Sequence, residues 1–240
     1  MPPRIFIHST PSANENVTIE GEDSRYLAVV LRASKGDEVV LVYPDGARQL
    51  AEVAAVSQKS VELRPVGKPV PAPKDDGGRI VLVQGMLKGQ KMDLVIQKAT
   101  ELGVGAIVPV ECERTVLRET RKHDRWTKIA LEASRQCGRT KPPLVHEPVG
   151  LMDYLRGLVN ARGVIFYEAP GMRELEPADV NGVGAGELLI AVGPEGGFAK
   201  AEVEAVKSAG LVVRGLGPNI LRAETASIAA VAIAGYLMRG

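Results

Sequence analysis

From about residue 80 onward the chain repeats one pattern: a short apolar run that reads as a strand, followed by a stretch with helical periodicity. The runs are 80–83, 106–110, 164–167, 188–192 and 211–213; the helical stretches are 90–102, 124–137, 151–159, 200–209 and 224–238. Such alternation implies a parallel sheet covered by helices on both faces, which fixes an α/β class. In the first of these helices Met92, Val95, Ile96, Ala99 and Leu102 form an apolar stripe, and Gly103 stands where a left-handed C-cap is usual. Asp93, Gln97 and Glu101 line a separate polar face, which reads as a solvated stripe. The last helix, rich in alanine with Ser227 and Gly235, presents a thin surface suited to burial or a subunit interface.

The preceding part is different. Residues 5–7, 17–19 and 39–42 are β-branched runs, and Pro44-Asp45-Gly46 between Val42 and Leu50 is a hairpin turn. One helix is expected over 23–33, with Arg25, Val29 and Arg32 on one face. Pro65 to Gly78, carrying Pro69, Pro71, Pro73 and Gly77-Gly78, reads as a linker. Two domains are therefore expected in the 240 residues, 1–72 and 73–240.

The composition narrows the function classes. With 45% hydrophobic and 25% charged residues the chain is of ordinary globular type, and a formal charge of +1 excludes a protein that coats nucleic acid non-specifically. A local basic patch is still available: between Cys112 and Lys141 nine Lys or Arg face four acids, a net of +5. Cys112 and Cys137 make neither a disulfide framework nor a zinc spacing, and His8, His123 and His146 are scattered, so no metal is expected. No signal peptide is read at the start. The longest uncharged run, 225–238, is shorter than the roughly 20 residues of a membrane span. A cytoplasmic, metal-free protein is expected.

Chemistry is concentrated in two segments, Gly193-Pro194-Glu195-Gly196-Gly197-Phe198 and Leu216-Gly217-Pro218-Asn219-Ile220-Leu221-Arg222-Ala223-Glu224-Thr225-Ala226. Each follows an apolar run and precedes a helix, which is where an open α/β sheet binds its ligand. No Gly-Lys-Ser/Thr follows the first, and Glu195 inside it would repel a phosphate. The Gly-x-Gly-like run Gly182 to Gly186 precedes a strand rather than following one, which disfavours a dinucleotide-dependent oxidoreductase. A nucleoside-type ligand with little phosphate charge fits better, and a cationic one better still.

These two segments resemble the C-terminal motifs of the RsmE-type 16S ribosomal RNA uridine-N3 methyltransferases, a branch of the SPOUT superfamily. Lys88-Gly89-Gln90-Lys91-Met92-Asp93, Gln97 to Val104 and Arg125-Trp126 to Ala133 resemble that family's central motifs, and Val30-Leu31-Arg32 with Asp45-Gly46 its N-terminal signature. The resemblance runs from about Arg4 to the end, in the same order.

It implies a SPOUT-type, trefoil-knotted parallel-sheet methyltransferase domain preceded by a small PUA-like β-barrel that binds RNA, and a homodimer formed through the methyltransferase domain. It implies S-adenosylmethionine held by three loops: the one after Tyr167, with Glu168; Gly193, Pro194, Glu195, Gly196 and Gly197; and Leu216, Gly217, Ile220 and Leu221. Leu216, Ile220 and Leu221 would sandwich adenine. Glu195 would face a sulfonium or cap the helix starting near Lys200. Arg222 would stabilise charge on the uracil oxygens. Glu224 would serve as general base or as a helix N-terminal carboxylate. RNA contacts would come from Arg4, Arg25, Arg32, Arg114, Arg118 and Arg125, on 16S ribosomal RNA within the small subunit. Three departures stand out: Tyr26 in place of histidine; Ala199 where Ser or Thr would cap the next helix; and Asn219 and Ala223 in place of Arg and Thr. The rival readings are a SPOUT enzyme acting on transfer RNA, and an RNA-binding assembly factor without catalysis.

Overall fold

The computed structural model describes residues 2–9, 11, 15–72, 78–115, 122–169, 171–181 and 186–238. Pro73 and Gly77 of the expected linker, Arg118 and Arg121 of the basic stretch, and 182–185 of the Gly-x-Gly-like run lie outside the described residues. The chain divides into two compact units. One comprises Met1–Asp76 with Ser134–Lys141; the other comprises Gly77–Ala133 with Pro142–Gly240.

The first unit is built on β1 (Arg4–Phe6), β2 (Val17–Glu20), α1 (Gly21–Arg25), β3 (Glu38–Val42), β4 (Arg48–Val56) and β5 (Ser60–Val70). The sheet order is β1-β3-β4-β5-β2, antiparallel throughout except for the β1–β3 pair. Alternate residues Val39, Leu41, Ala51, Val53, Val61 and Leu63 point into one apolar core with Ile5, Ile19 and Leu27. The expected turn at Pro44-Asp45-Gly46 is present. Gly46 takes φ +85°, and Asp45 Oδ1 accepts the Ala47 N–H at 2.9 Å.

Two expectations for this unit are corrected. The linker does not begin at Pro65, because Pro65, Val66 and Val70 pair with Ala51, Leu50 and Arg48 as part of β5. β5 lies beside both β4 and β2, and its prolines fall in the half of the strand beyond Leu63, where the β2 pairing ends. Nor is 23–33 one α-helix. After Arg25 the backbone widens into a π-helical turn, Tyr26–Val30, closed by Leu31 N–H to Tyr26 C=O at 2.9 Å, and Arg32 turns to φ +53°. The extra residue per turn breaks the 3.6 period, so Arg25, Val29 and Arg32 do not share a helical face. Arg135, counted in the basic stretch, is turned inward here: it pairs with Asp23 at 2.7 Å and lies 5.9 Å from the ring centres of Phe6 and Tyr26. Arg139 is buried as well.

The second unit contains β6 (Ile80–Gly85), α2 (Lys91–Glu101), β7 (Ala106–Glu111), α3 (His123–Cys137, of which residues to Ala133 belong here), β8 (Leu144–Val145), β9 (Val149–Gly150), α4 (Leu151–Arg156), β10 (Gly163–Phe166), α5 (Pro177–Val180), β11 (Leu188–Val192), α6 (Lys200–Ser208), β12 (Leu211–Arg214) and α7 (Ala223–Leu237). Its sheet runs β12-β10-β11-β6-β7-β8, with β9 also on β7, and every pair is parallel. β6, β10 and β11 are buried at every position. Ile80, Leu82, Ile190 and Val164 face a core completed by α2, Trp126 and α7. Val81, Val83, Ala191 and Ile165 face the opposite core, completed by Leu151, Phe198, Val203 and Val206. Strands covered on both faces need no polar side, which is why the runs read as continuously apolar.

The two glycine- and proline-bearing loops leave β11 and β12, which are successive in this stretch but not adjacent: β10 lies between them. Gly163 permits that insertion, since a Cβ there would stand 2.3 Å from the Leu189 carbonyl oxygen.

Candidate active site

The loops leaving β10, β11 and β12 converge at the carboxyl edge of the sheet on a cavity of about 860 Å³. It sits where the chain order reverses, with strands added on one side of β6 before 150 and on the other side after 160, the expected place for a ligand in an open sheet. Much of its wall is backbone. Gly197 and Gly217 adopt φ +67° and +103°, a region costly for any residue with a Cβ. Gly85, at the end of β6, lets Gly193-Pro194 pass directly over it.

Buried polar contacts fix these loops. Gln84, fully buried on the central strand, donates to the Gly85 carbonyl at 2.9 Å and reaches the Val192 and Gly193 carbonyls at 3.5 Å. Its Oε1 accepts the Ser227 hydroxyl of α7. One side chain thus ties β6, the β11 loop and the N-terminal part of α7 together. On the other side Arg214, the last residue of β12, clasps Asp179 with two donors, Nε at 2.7 Å and Nη2. Burial alone would raise the Asp179 carboxyl; the Arg214 guanidinium and the Glu176 N–H outweigh it and hold the group below its ordinary range. Gly215 N–H then bonds the Arg173 carbonyl at 2.8 Å, so the third loop leaves from a fixed point.

The ten residues expected around a cofactor all line this cavity: Glu168; Gly193, Pro194, Glu195, Gly196 and Gly197; and Leu216, Gly217, Ile220 and Leu221. Leu216 and Leu221 are partly buried, whereas Ile220 is 84% exposed. Arg222 and Glu224 line it too. Arg222 is the extended residue that opens α7, and its carbonyl accepts the Ala226 N–H at 2.8 Å. Of the described residues expected to meet RNA, only Arg114 is on this wall, its Nη1 donating to the Gly196 carbonyl at 3.0 Å. Arg125 is exposed and pairs with Asp93 at 2.7 Å. Arg4, Arg25 and Arg32 belong to the first unit.

Glu195 does not cap the helix that follows. It accepts the Lys88 N–H at 3.1 Å and the Lys91 ammonium at 3.2 Å. Burial works against its charge, but these donors win and its carboxyl lies below the usual value. Glu202, a buried carboxylate at the third position of α6, accepts the Ala199 N–H and the Glu113 N–H, each at 2.8 Å. That is the return half of a capping box; the Ala199 methyl cannot accept the N–H groups that a Ser or Thr there would take, so the expected loss of that cap stands. Lys91 is the charged wall residue, among those described, that had not been assigned to the site from the sequence. It stands in Lys88-Gly89-Gln90-Lys91-Met92-Asp93, a segment singled out on other grounds, and only the fold brings it to the cavity.

Among the described residues no group of three or more His, Cys, Asp or Glu is placed to hold a metal. Among them no helix is long and apolar enough to cross a membrane.

Similarity to known proteins agrees with this architecture. A family model for an RNA methyltransferase domain matches residues 74–235, and one for an RNA methyltransferase PUA domain matches residues 19–66. A Bacillus subtilis protein named ribosomal RNA small subunit methyltransferase E is 32% identical, with 99% of this chain and 98% of that one covered. The chain belongs to the RsmE-type RNA methyltransferase family. An RsmE structure from Neisseria gonorrhoeae, bound to S-adenosylmethionine, is 29% identical and superposes with a TM-score of 0.87 over 99% of this chain and 98% of its own. A Legionella pneumophila structure with the same cofactor is 27% identical and gives 0.89 over 98% of both chains. All cavity residues fall within the methyltransferase match, and Arg25 and Arg32 fall within the PUA match.

Proposed function

We propose that this protein methylates N3 of a uridine in 16S ribosomal RNA of the small ribosomal subunit, using S-adenosylmethionine. The observation that carries the reading is that one cavity joins a largely backbone wall from three loops to Arg222 and Glu224 on the first turn of α7. The fit to the cofactor rests on its lining. Leu216 and Leu221 offer apolar surface for adenine, and loop carbonyls and N–H groups can read its edge. The charges of Glu168, Glu195 and Glu224 balance those of Lys91, Arg114 and Arg222, so the pocket presents no net positive charge to a cation.

When bound, S-adenosylmethionine supplies an electrophilic methyl carbon. The residues of this chain have three tasks. The glycine loops hold the reacting atoms at near-attack distance, which alone can supply much of the rate. Arg222 faces the uracil oxygens, where charge develops as the ring loses its proton. Glu224 accepts the N3 proton. A splayed-out uridine is needed to reach them.

The first domain, 1–72, is proposed as the PUA-like RNA-binding module and 73–240 as the methyltransferase domain, with the trefoil knot its family resemblance implies. Arg4, Arg25, Arg32, Arg114, Arg118 and Arg125 are proposed phosphate contacts. The face of α7 turned away from its buried Ser227, Ala230 and Ala234, where Ile233 and Tyr236 are exposed, supports a homodimer, and the ribosomal substrate supports a cytoplasmic location. Labelled methyl transfer to unmodified small subunits, free 16S RNA and transfer RNA, with the product base mapped by mass spectrometry, tests the reading. N3-methyluridine on the subunit is expected. Label only on transfer RNA would overturn the substrate, and cofactor binding without transfer to any RNA would favour an assembly factor.

A further inference from the structure

Lys91, the first helical residue of α2, stands between two carboxylates that come from different elements. Its ammonium lies 3.2 Å from Glu195 Oε1 on the β11 loop and 3.7 Å from Glu224 Oε2 on α7. The two carboxylates are in different states. Glu195 is held by the Lys88 N–H as well as by Lys91. Glu224 Oε2 is closed off from solvent and has no hydrogen-bond donor among the described residues, although the glutamate side chain is 12% exposed and lines the cavity. A buried carboxylate oxygen without a donor is uncommon and calls for a reason. At 3.7 Å the ammonium is the charge that meets this inward oxygen, and it attracts Oε2 across space without a hydrogen bond.

We infer that Lys91, anchored by Glu195, is a positioning residue that holds the inward Oε2 of Glu224 and so turns the other carboxylate oxygen, Oε1, to the cavity, where it accepts the proton from N3 of the target uridine. The inference rests on the methyl-transfer reading above. In the step it serves, the N3–H bond breaks and its proton passes to Glu224 Oε1. The freed N3 electron pair forms the bond to the methyl carbon, and the carbon–sulfur pair stays on sulfur as a neutral thioether. The proton leaves to water when product departs. Charged groups around Glu224 are few: Lys91 from α2, Glu195 from the β11 loop and Arg222 beside it on its own helix, with Glu168 and Arg114 further along the same wall. Only Lys91 makes an ion pair with it among the described residues.

A double-mutant cycle separates this from a merely structural role. Single-turnover transfer to small subunits is measured at saturating S-adenosylmethionine for wild type, Lys91→Met, Lys91→Arg, Glu224→Gln and the Lys91→Met/Glu224→Gln pair. Cofactor affinity by calorimetry and thermal melting are measured on each. Glu224→Gln should slow transfer on the order of 10²- to 10⁴-fold, as loss of a general base does. Lys91→Met should slow it at least about tenfold with cofactor affinity within about twofold of wild type, and Lys91→Arg should recover most of the loss. In the Glu224→Gln background the Lys91→Met change should have no further effect. If the two losses multiply, or Lys91→Met transfers at the wild-type rate, or its loss is matched by weaker cofactor binding, the assignment is overturned. Should Lys91→Met not fold, Lys91→Gln at this half-exposed position carries the same comparison. A wild type that binds cofactor but transfers to no RNA would overturn the methyl-transfer reading instead.

Discussion

Replacing Gly85 by alanine should damage the cofactor site without replacing any residue that lines it. A Cβ at Gly85 would stand 2.4 Å from the Pro194 nitrogen, 2.5 Å from its ring Cδ and 2.7 Å from the Gly193 carbonyl carbon. Ordinary contact begins near 3.4 Å, so about 1 Å must be found. Rotamer changes cannot provide it, because the opposing atoms are backbone and a closed ring. β6 is the central strand, paired on both sides, so the β11 loop is the part that can give. Overpacking of this kind costs about 1–3 kcal/mol. Relieved by displacing the loop, it corresponds to roughly 5- to 150-fold weaker S-adenosylmethionine binding. Calorimetric titration of Gly85→Ala reads this directly, with Gly36→Ala as control. Gly36, unlike Gly85, has a positive φ, but it has open space around it and lies in the first unit. Wild-type affinity together with wild-type melting in Gly85→Ala would refute the argument that loop and strand are locked by this contact.

Three further outcomes can be checked. Asp179→Asn should destabilise the protein by about 3 kcal/mol in urea unfolding at pH 7, since it strands Arg214 in a mostly buried pair. Because the folded-state carboxyl of Asp179 is depressed, its contribution is full above about pH 4 and fades as pH falls through the lower folded value, so variant and wild type should converge in acid. Burial, with the nearby Glu202 charge, pushes the Cys112 thiol up to about 12, while Cys137 is exposed. Iodoacetamide at pH 8 should therefore label Cys137 alone in the native protein and both in urea, and equal native labelling would contradict the burial. Arg32→Glu should weaken binding to small subunits and flatten its salt dependence while cofactor affinity is unchanged; an unaltered salt slope would remove Arg32 from the RNA face.

Much of the second unit was legible because its physics is local. β11 is an uninterrupted apolar run, Leu188–Val192, and occupies the span expected of it. The glycine loops announced themselves by composition and gather at one cavity. The short elements did not: β8 and β9 are two residues each and α5 is four, too few for any period to register. Proline misled in the other direction, since the tract from Pro65 reads as linker yet continues β5. The π-helical turn at Tyr26 was hidden because an inserted residue leaves no compositional mark. Charge was the least legible property. Arg135 and Lys91 look alike in a count of basic residues, yet one is packed against Phe6, Tyr26 and Asp23 and the other faces the cavity. Which carboxylate a cation meets depends on contacts more than a hundred residues apart, such as Lys91 with Glu195 and Glu224. Likewise Ala199 leaves the helix without the side-chain cap a Ser or Thr would give, while its own N–H is taken by Glu202 from three residues further on.

The central claim is that the three loops after β10, β11 and β12 form one S-adenosylmethionine site. Hydrogen-exchange mass spectrometry with and without the cofactor tests it most directly, because protection is read along the chain without reference to catalysis. The account predicts slowed exchange in the segments 167–172, 193–198 and 215–224, with the first unit unchanged. Protection confined to other segments, or none at saturating cofactor, would contradict it.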